Sequence, residues 1–180
     1  MRFIRWHETL PNSNRQNALR VITRSADQTS TFGTRCAPLL RGGDVVLLTG
    51  DLGAGKTQFA QGVARGLEVE EPVISPTFNI LLVHRGSDVE LDHWDLYRLE
   101  RHEELVDIDY FAQVAGDAIS LVEWGDKFAD TLIDADLDLC FTRIDDQTRS
   151  IEVRAHSQRG EELIAMLAAT RKTAEESSIS

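Results

Sequence analysis

Cysteine is scarce in this chain: Cys36 and Cys140 stand far apart and form no CxxC pair. Disulfide frameworks and thiolate zinc sites need more cysteines at closer spacing, so the two read as free thiols in a reducing compartment. Lysine is equally sparse, with Lys56, Lys127 and Lys172 the three among nineteen basic residues. No apolar run approaches the ~20 residues of a membrane helix. The stretch Met1-Arg2-Phe3-Ile4-Arg5-Trp6-His7 has neither the apolar centre nor the cleavage site of a signal peptide. The expectation is a soluble, cytoplasmic protein with no membrane partner. Positive charge is also short, with Lys plus Arg 19 against Asp plus Glu 30, a net charge of -11. Such a chain repels phosphate backbones, which argues against stand-alone, non-specific nucleic-acid binding. The five histidines show no HExxH or comparable ligand spacing, and no G-x-S-x-G elbow marks a serine hydrolase.

What is present is ordinary globular composition, 42% hydrophobic and 27% charged over 180 residues, enough for one domain with its own core. Residues 1–19 are polar around Pro11-Asn12-Ser13-Asn14 and read as a poorly ordered extension. Residues 171–180 read as a flexible tail, leaving 20–170 as a single domain. Phe32, Cys36, Leu39 and Leu40 recur at helical spacing behind Ser25, an N-cap residue type, and predict a helix over about 26–40. Asp44-Val45-Val46-Leu47-Leu48-Thr49 is a short β-branched and apolar run, the pattern of a strand buried on both faces of a parallel sheet. Phe59, Val63 and Leu67 then predict a second helix. Strands are expected at 78–84 and 89–95 around Gly86-Ser87-Asp88, a helix at 101–115 and a buried strand at 117–123. A hairpin over 136–144 and 149–155 precedes a closing helix over 160–169. Strands alternating with helices predict an α/β fold, a mostly parallel central sheet flanked by helices, with antiparallel hairpin strands added.

Between the first buried strand and its helix lies Gly50-Asp51-Leu52-Gly53-Ala54-Gly55-Lys56-Thr57, a G-x-x-x-x-G-K-T phosphate loop. Glycines let the backbone curl so that successive amides point at phosphate oxygens. The helix beginning at Lys56 aims its positive end at the same charge. Lys56 supplies a mobile point charge for the β- and γ-phosphates, and the Thr57 hydroxyl a ligand for Mg²⁺. The bare pattern arises by chance in roughly one chain of this length in a hundred or two, and the strand before it and helix after it lower that further.

A phosphate loop needs a second carboxylate near the metal, at the end of a neighbouring apolar strand. Glu123, ending Ile119-Ser120-Leu121-Val122-Glu123, is one candidate, and Asp92-His93-Trp94-Asp95 supplies others. Asp95 would orient the attacking water or hold the metal's water shell, while Asp92 reads as a solvated neighbour. Arg143, Arg149, Arg154 and Arg159 are interleaved with acids and read as a solvated face rather than an RNA patch.

The loop at 50–57, then Ser75-Pro76-Thr77-Phe78, then His93-Trp94-Asp95-Leu96-Tyr97-Arg98-Leu99, then Glu123-Trp124, resemble the bacterial TsaE family in order and spacing. Smaller echoes are Thr29 and Gly33, Glu103-Glu104-Leu105, Asp109-Tyr110-Phe111 and Arg149, so the resemblance spans about 25–168. Gln58 stands where that family often has a second Thr, Trp94 where Phe is usual, and Gly125 where Pro is frequent.

That family comprises P-loop ATPases required for threonylcarbamoyladenosine (t6A) modification of tRNA. The resemblance implies ATP and Mg²⁺ as cofactors, with low basal hydrolysis. The backbone amides of Asp51, Leu52, Gly53, Ala54, Gly55, Lys56 and Thr57 would hold the phosphates. Thr57 and Glu123 would serve the metal, and Asp95, Lys56 and Glu123 the hydrolysis. Thr29, Arg149 and Trp124 would border the nucleotide, and Ser75-Pro76-Thr77 would form a nucleotide-dependent switch. It further implies a TsaB–TsaD heterodimer as partner, with tRNA reached only through that complex. Two other readings stand beside it. A small-molecule phosphotransferase would want an Arg-rich lid, whereas acids dominate 99–120. A scaffold that binds nucleotide without hydrolysis would not require Lys56, Thr57, Asp95 and Glu123 together.

Overall fold

The computed structural model describes residues 5–8, 18–128 and 135–176, with side chains described within 18–128 and 135–170. Eight strands form one sheet in the order β1-β2-β8-β7-β3-β6-β5-β4. Its middle is parallel: β3 (Val45–Thr49) pairs in parallel with β6 (Ile119–Glu123) and β7 (Leu137–Arg143), and β6 with β5 (Glu90–Asp95). Every residue of β3 and β6 is buried, because both faces of these strands are covered. On one face, α1 (Ala26–Cys36), α2 (Lys56–Gly66) and α5 (Gln158–Glu176) pack Phe32, Phe59, Val63 and Leu163 against Val46, Leu48 and Leu121. On the other, Leu105 of α3 (His102–Asp107) and Tyr110 of α4 (Tyr110–Val114) cover Val45, Leu47, Trp94 and Val122. The expected layered fold is the one observed.

The outer strands are antiparallel. The hairpin β7–β8 (Arg149–Ala155) lies where expected, and β4 (Leu81–Arg85) pairs back on β5 around the Gly86-Ser87-Asp88 turn. Two strands precede α1: β1 (Arg5–Glu8) pairs with β2 (Ala18–Thr23), which pairs with β8. Part of the stretch read as an extension therefore enters the sheet through long-range pairing; Pro11-Asn12-Ser13-Asn14 lies outside the described residues. α5 reaches Glu176, into the stretch read as a tail. The helix expected over 101–115 is broken at Asp109, whose φ of 53° is left-handed and cannot continue an α-helix.

One helix crossing sets the position of the phosphate loop. Ser25 caps α1 by accepting from the Gln28 amide at 3.1 Å. α1 then meets α2 backbone to backbone: a Cβ on Gly62 would lie 1.9 Å from Ser30 O, and one on Gly33 2.3 Å from Phe59 O. Thr34 Oγ1 donates to Gly62 O across the same crossing at 3.0 Å. Glycine is needed at both points because any side chain would wedge the helices apart.

Candidate functional site

The loop between β3 and α2 curls through three left-handed glycines, Gly50 at φ 123°, Gly53 at 75° and Gly55 at 109°. A Cβ costs energy in that region, so the G-x-x-G-x-G spacing is what lets the chain close at this radius. Lys56 is buried at the start of α2 and folds back over the loop, donating from Nζ to Gly50 O at 2.7 Å and Asp51 O at 3.1 Å. Its ammonium lies 3.9 Å from the centre of the Trp124 ring, a cation–π contact. Burial pushes the Lys56 pKa below its ordinary value, partly offset by the charges of Glu123, Asp95, Asp126 and Asp51. Leu52 at the loop tip is 82% exposed.

The parallel register brings the two predicted carboxylates together: Asp95 and Glu123 are partners at the ends of β5 and β6, and Glu123 is the partner of Leu48 on β3. Both are buried, beside the chain turn that makes the phosphate loop. Glu123 Oε1 accepts from the Thr57 hydroxyl at 2.8 Å and lies 3.0 Å from His93 Nε2. Asp95 Oδ2 accepts from Thr77 at 2.5 Å and Ser75 at 3.3 Å, and Oδ1 from the Tyr97 amide at 3.0 Å. The Ser75-Pro76-Thr77 loop is thus tied to Asp95 by two hydroxyls. Phe78 beyond it is 86% exposed.

Thr29 and Arg149 lie beside the loop, within 4.0 Å of where a Gly55 Cβ would be. Thr29 Oγ1 shares a hydrogen bond of 2.8 Å with Thr23, and Arg149 donates to Gly53 O at 3.4 Å and to Asp145 O at 2.9 Å. Trp124 holds a φ of 64°, a strained conformation for an aromatic residue, and packs at a tilt of 51° against Tyr97 with ring centres 5.0 Å apart. Lys127 ties the neighbouring turns together, donating to Tyr97 O at 2.6 Å and Leu99 O at 2.5 Å.

Every predicted site residue falls within this one region except Asp92. Strand alternation turns Asp92 to the opposite face of the sheet, where it is fully buried and accepts from Gln113 of α4 at 3.0 Å. Reading it as solvated is corrected: burial raises its pKa above the ordinary carboxylate value. Arg159 also departs from the solvated face expected of it, since it donates to both oxygens of buried Asp44, at 2.9 and 2.8 Å. His93, Ser75 and Thr77 touch the two carboxylates directly, contacts that a chain without strand register cannot show.

The residues fit a magnesium ion held mainly by phosphate. Thr57 Oγ1 and Glu123 Oε1 are hard oxygen donors 2.8 Å apart, and Mg²⁺ prefers one or two such ligands with substrate phosphates and waters. Among the described residues no group of three or more His, Cys, Asp or Glu forms an all-protein metal cage.

Fold and site together define a P-loop NTPase-like protein, built to bind nucleotide. The family model described as "Threonylcarbamoyl adenosine biosynthesis protein TsaE" matches residues 23–151, and the chain belongs to that family. It is 38% identical over 135 residues to the tRNA threonylcarbamoyladenosine biosynthesis protein TsaE of Treponema pallidum, covering 75% of this chain and 99% of that one. The Bacillus subtilis protein of the same name is 35% identical over 141 residues, covering 78% and 88%. The crystal structure of Bacillus subtilis YdiB superposes with a TM-score of 0.73 at 29% identity, over 86% of this chain and 96% of that one.

Proposed function

We propose that this chain is a Mg²⁺-dependent ATPase of the cytoplasm that drives turnover of a TsaB–TsaD threonylcarbamoyltransferase during t6A modification of tRNA. The observation that carries the reading is the convergence of Thr57, Glu123 and Asp95 behind the phosphate loop, with Lys56 folded over its mouth.

Thr57 and Glu123 would hold a bound Mg²⁺, which would supply neutralisation of the charge that develops on the phosphates. On the protein's side, loop amides from Asp51 to Thr57 hold phosphate oxygens. Lys56 leaves its two carbonyl acceptors and the Trp124 ring to meet phosphate, a stronger, charged partner. The Thr57 hydroxyl, which donates to Glu123 in the free protein, would offer its oxygen to that metal. Asp95 orients the attacking water, since phosphoryl transfer leaves little for a base to do beyond positioning. Ser75 and Thr77 hold Asp95, which makes their loop the natural sensor of the γ-phosphate. Thr29, Arg149 and Trp124 border the rest of the nucleotide. Docking on protein partners, with tRNA met only through them, suits a chain of net charge -11.

The test is to mix the purified protein with a TsaB–TsaD heterodimer and follow ATP loss. Low basal hydrolysis that rises on addition of the heterodimer is expected. Hydrolysis that rises only with an added small-molecule acceptor would replace this reading with a phosphotransferase.

A further inference from the structure

Behind the proposed metal-side carboxylate runs a line of buried polar groups that the ATPase chemistry above does not use. His93 on β5 is fully buried, and its Nε2 meets Glu123 Oε1, the oxygen that also accepts from Thr57. A carboxylate oxygen only accepts, so Nε2 carries the proton of this bond and Nδ1 points the other way. That Nδ1 has no hydrogen-bond partner, and neither does Nε2 of His84, itself buried on β4. The two rings are diagonal neighbours on one face of the β4–β5 ladder, with centres 6.5 Å apart and planes tilted by 40°. His84 Nδ1 lies 3.1 Å from Oε1 of Glu71, whose side chain is 58% exposed.

Buried polar atoms are almost always paired. A ring nitrogen lies about 1.2 Å from its ring centre, so nitrogens facing each other here are ~4 Å apart or more. That exceeds a direct bond of about 3 Å, so the two rings pack against each other without bonding.

We propose that His93 is a positioning residue for Glu123, braced by the packing of His84, whose own ring is tied to Glu71. The inference rests on the Mg²⁺–ATP reading of the site. With the Thr57 oxygen given to a metal, Glu123 would keep one of its two hydrogen bonds on Oε1, the one from His93. A metal-side carboxylate keeps its orientation through such outer partners, whose loss weakens metal affinity by about 10–100-fold.

Two measurements test this. Nitrogen-15 NMR of the histidine-labelled, nucleotide-free protein should show His93 as the Nε2–H tautomer; the Nδ1–H tautomer overturns the proposal. Titrating Mg²⁺ against ATP binding should show His93→Leu needing at least about tenfold more metal, with metal-free ATP binding within about twofold. His93→Gln, which keeps an N–H donor, should recover most of the loss, and His84→Leu should shift the requirement in the same direction by less. Thermal melting reports whether each variant folds; if His93→Leu does not, the tautomer and His84→Leu decide. An unchanged Mg²⁺ requirement in a folded variant, or equal weakening with and without metal, overturns the proposal alone. A wild-type protein without Mg²⁺-dependent ATP binding overturns the proposed function as well, and the nucleotide-free tautomer separates the two failures.

Discussion

Gly62→Ala adds one methyl group where α1 and α2 touch. Its Cβ would stand 1.9 Å from Ser30 O, 2.7 Å from Ser30 C and 2.9 Å from Ser30 Cα, all backbone atoms that cannot rotate away. Relief to a tight 3.0 Å contact with the oxygen requires about 1 Å of helix separation. Overpacking of this kind costs about 1–3 kcal/mol, here near the upper end because both surfaces are main chain. Alanine returns about 1 kcal/mol through helix propensity. The net expectation is ~2 kcal/mol of destabilisation, which lowers the melting temperature of a domain this size by roughly 4–8 °C. The same displacement moves Lys56 and Thr57, which begin α2, so ATP affinity should fall as well. Thermal melting and ATP titration of Gly62→Ala check this, beside Arg65→Ala, an exposed position on the same helix expected to stay within about 0.5 kcal/mol. A Gly62→Ala protein that melts at or above the wild-type temperature would show that propensity wins, and the crossing would not be the constraint described.

Lys56→Ala should abolish detectable ATP binding by equilibrium titration while leaving the melt close to wild type; retained affinity would remove Lys56 from the phosphate site. Asp95→Ala should keep ATP binding and lose hydrolysis, and full turnover would reassign the water-orienting role. Asp92→Asn should stabilise the protein at pH 7. Because the folded pKa is raised, the native state binds more protons than the unfolded one, and stability falls as pH climbs from the ordinary 3.8 through the folded value. Asparagine can still accept from Gln113 without a buried charge. Melts near the ordinary carboxylate pKa of 3.8 and at pH 7 should show the variant gaining more at the higher pH, and a gain independent of pH would contradict the linkage.

The parts of this molecule legible in the sequence are those written in local pattern. The all-apolar Val45–Leu48 run and the largely apolar Ile119–Val122 run announce strands covered on both faces, and the glycines at 50, 53 and 55 announce the loop that follows the first. Lys56, Thr57, Asp95 and Glu123 follow from that loop plus two strand ends. What stays hidden depends on register and long-range pairing. Asp92 and Asp95 stand three apart, and only strand alternation decides that one faces α4 and the other the phosphate loop. β1 has four residues, with its hydrogen bonds completed by a partner more than ten positions away. The break at Asp109 is a single left-handed residue inside an otherwise helical spacing, and His93 looks like any strand histidine until Glu123 is placed beside it.

The contacts around Asp95 and Glu123 are of two strengths. At the strand ends, Leu96 N donates to Glu123 O at 3.0 Å and Trp124 N to Leu48 O at 3.2 Å, main-chain stitches that make β3, β5 and β6 move as one plate. The Ser75–Thr77 segment reaches Asp95 through side-chain hydroxyls. Two such bonds contribute on the order of 1.5 kcal/mol each to a charged acceptor. The segment is therefore a latch on a stiff plate: letting go of the carboxylate costs about 3 kcal/mol, and no strand has to unzip for it to do so.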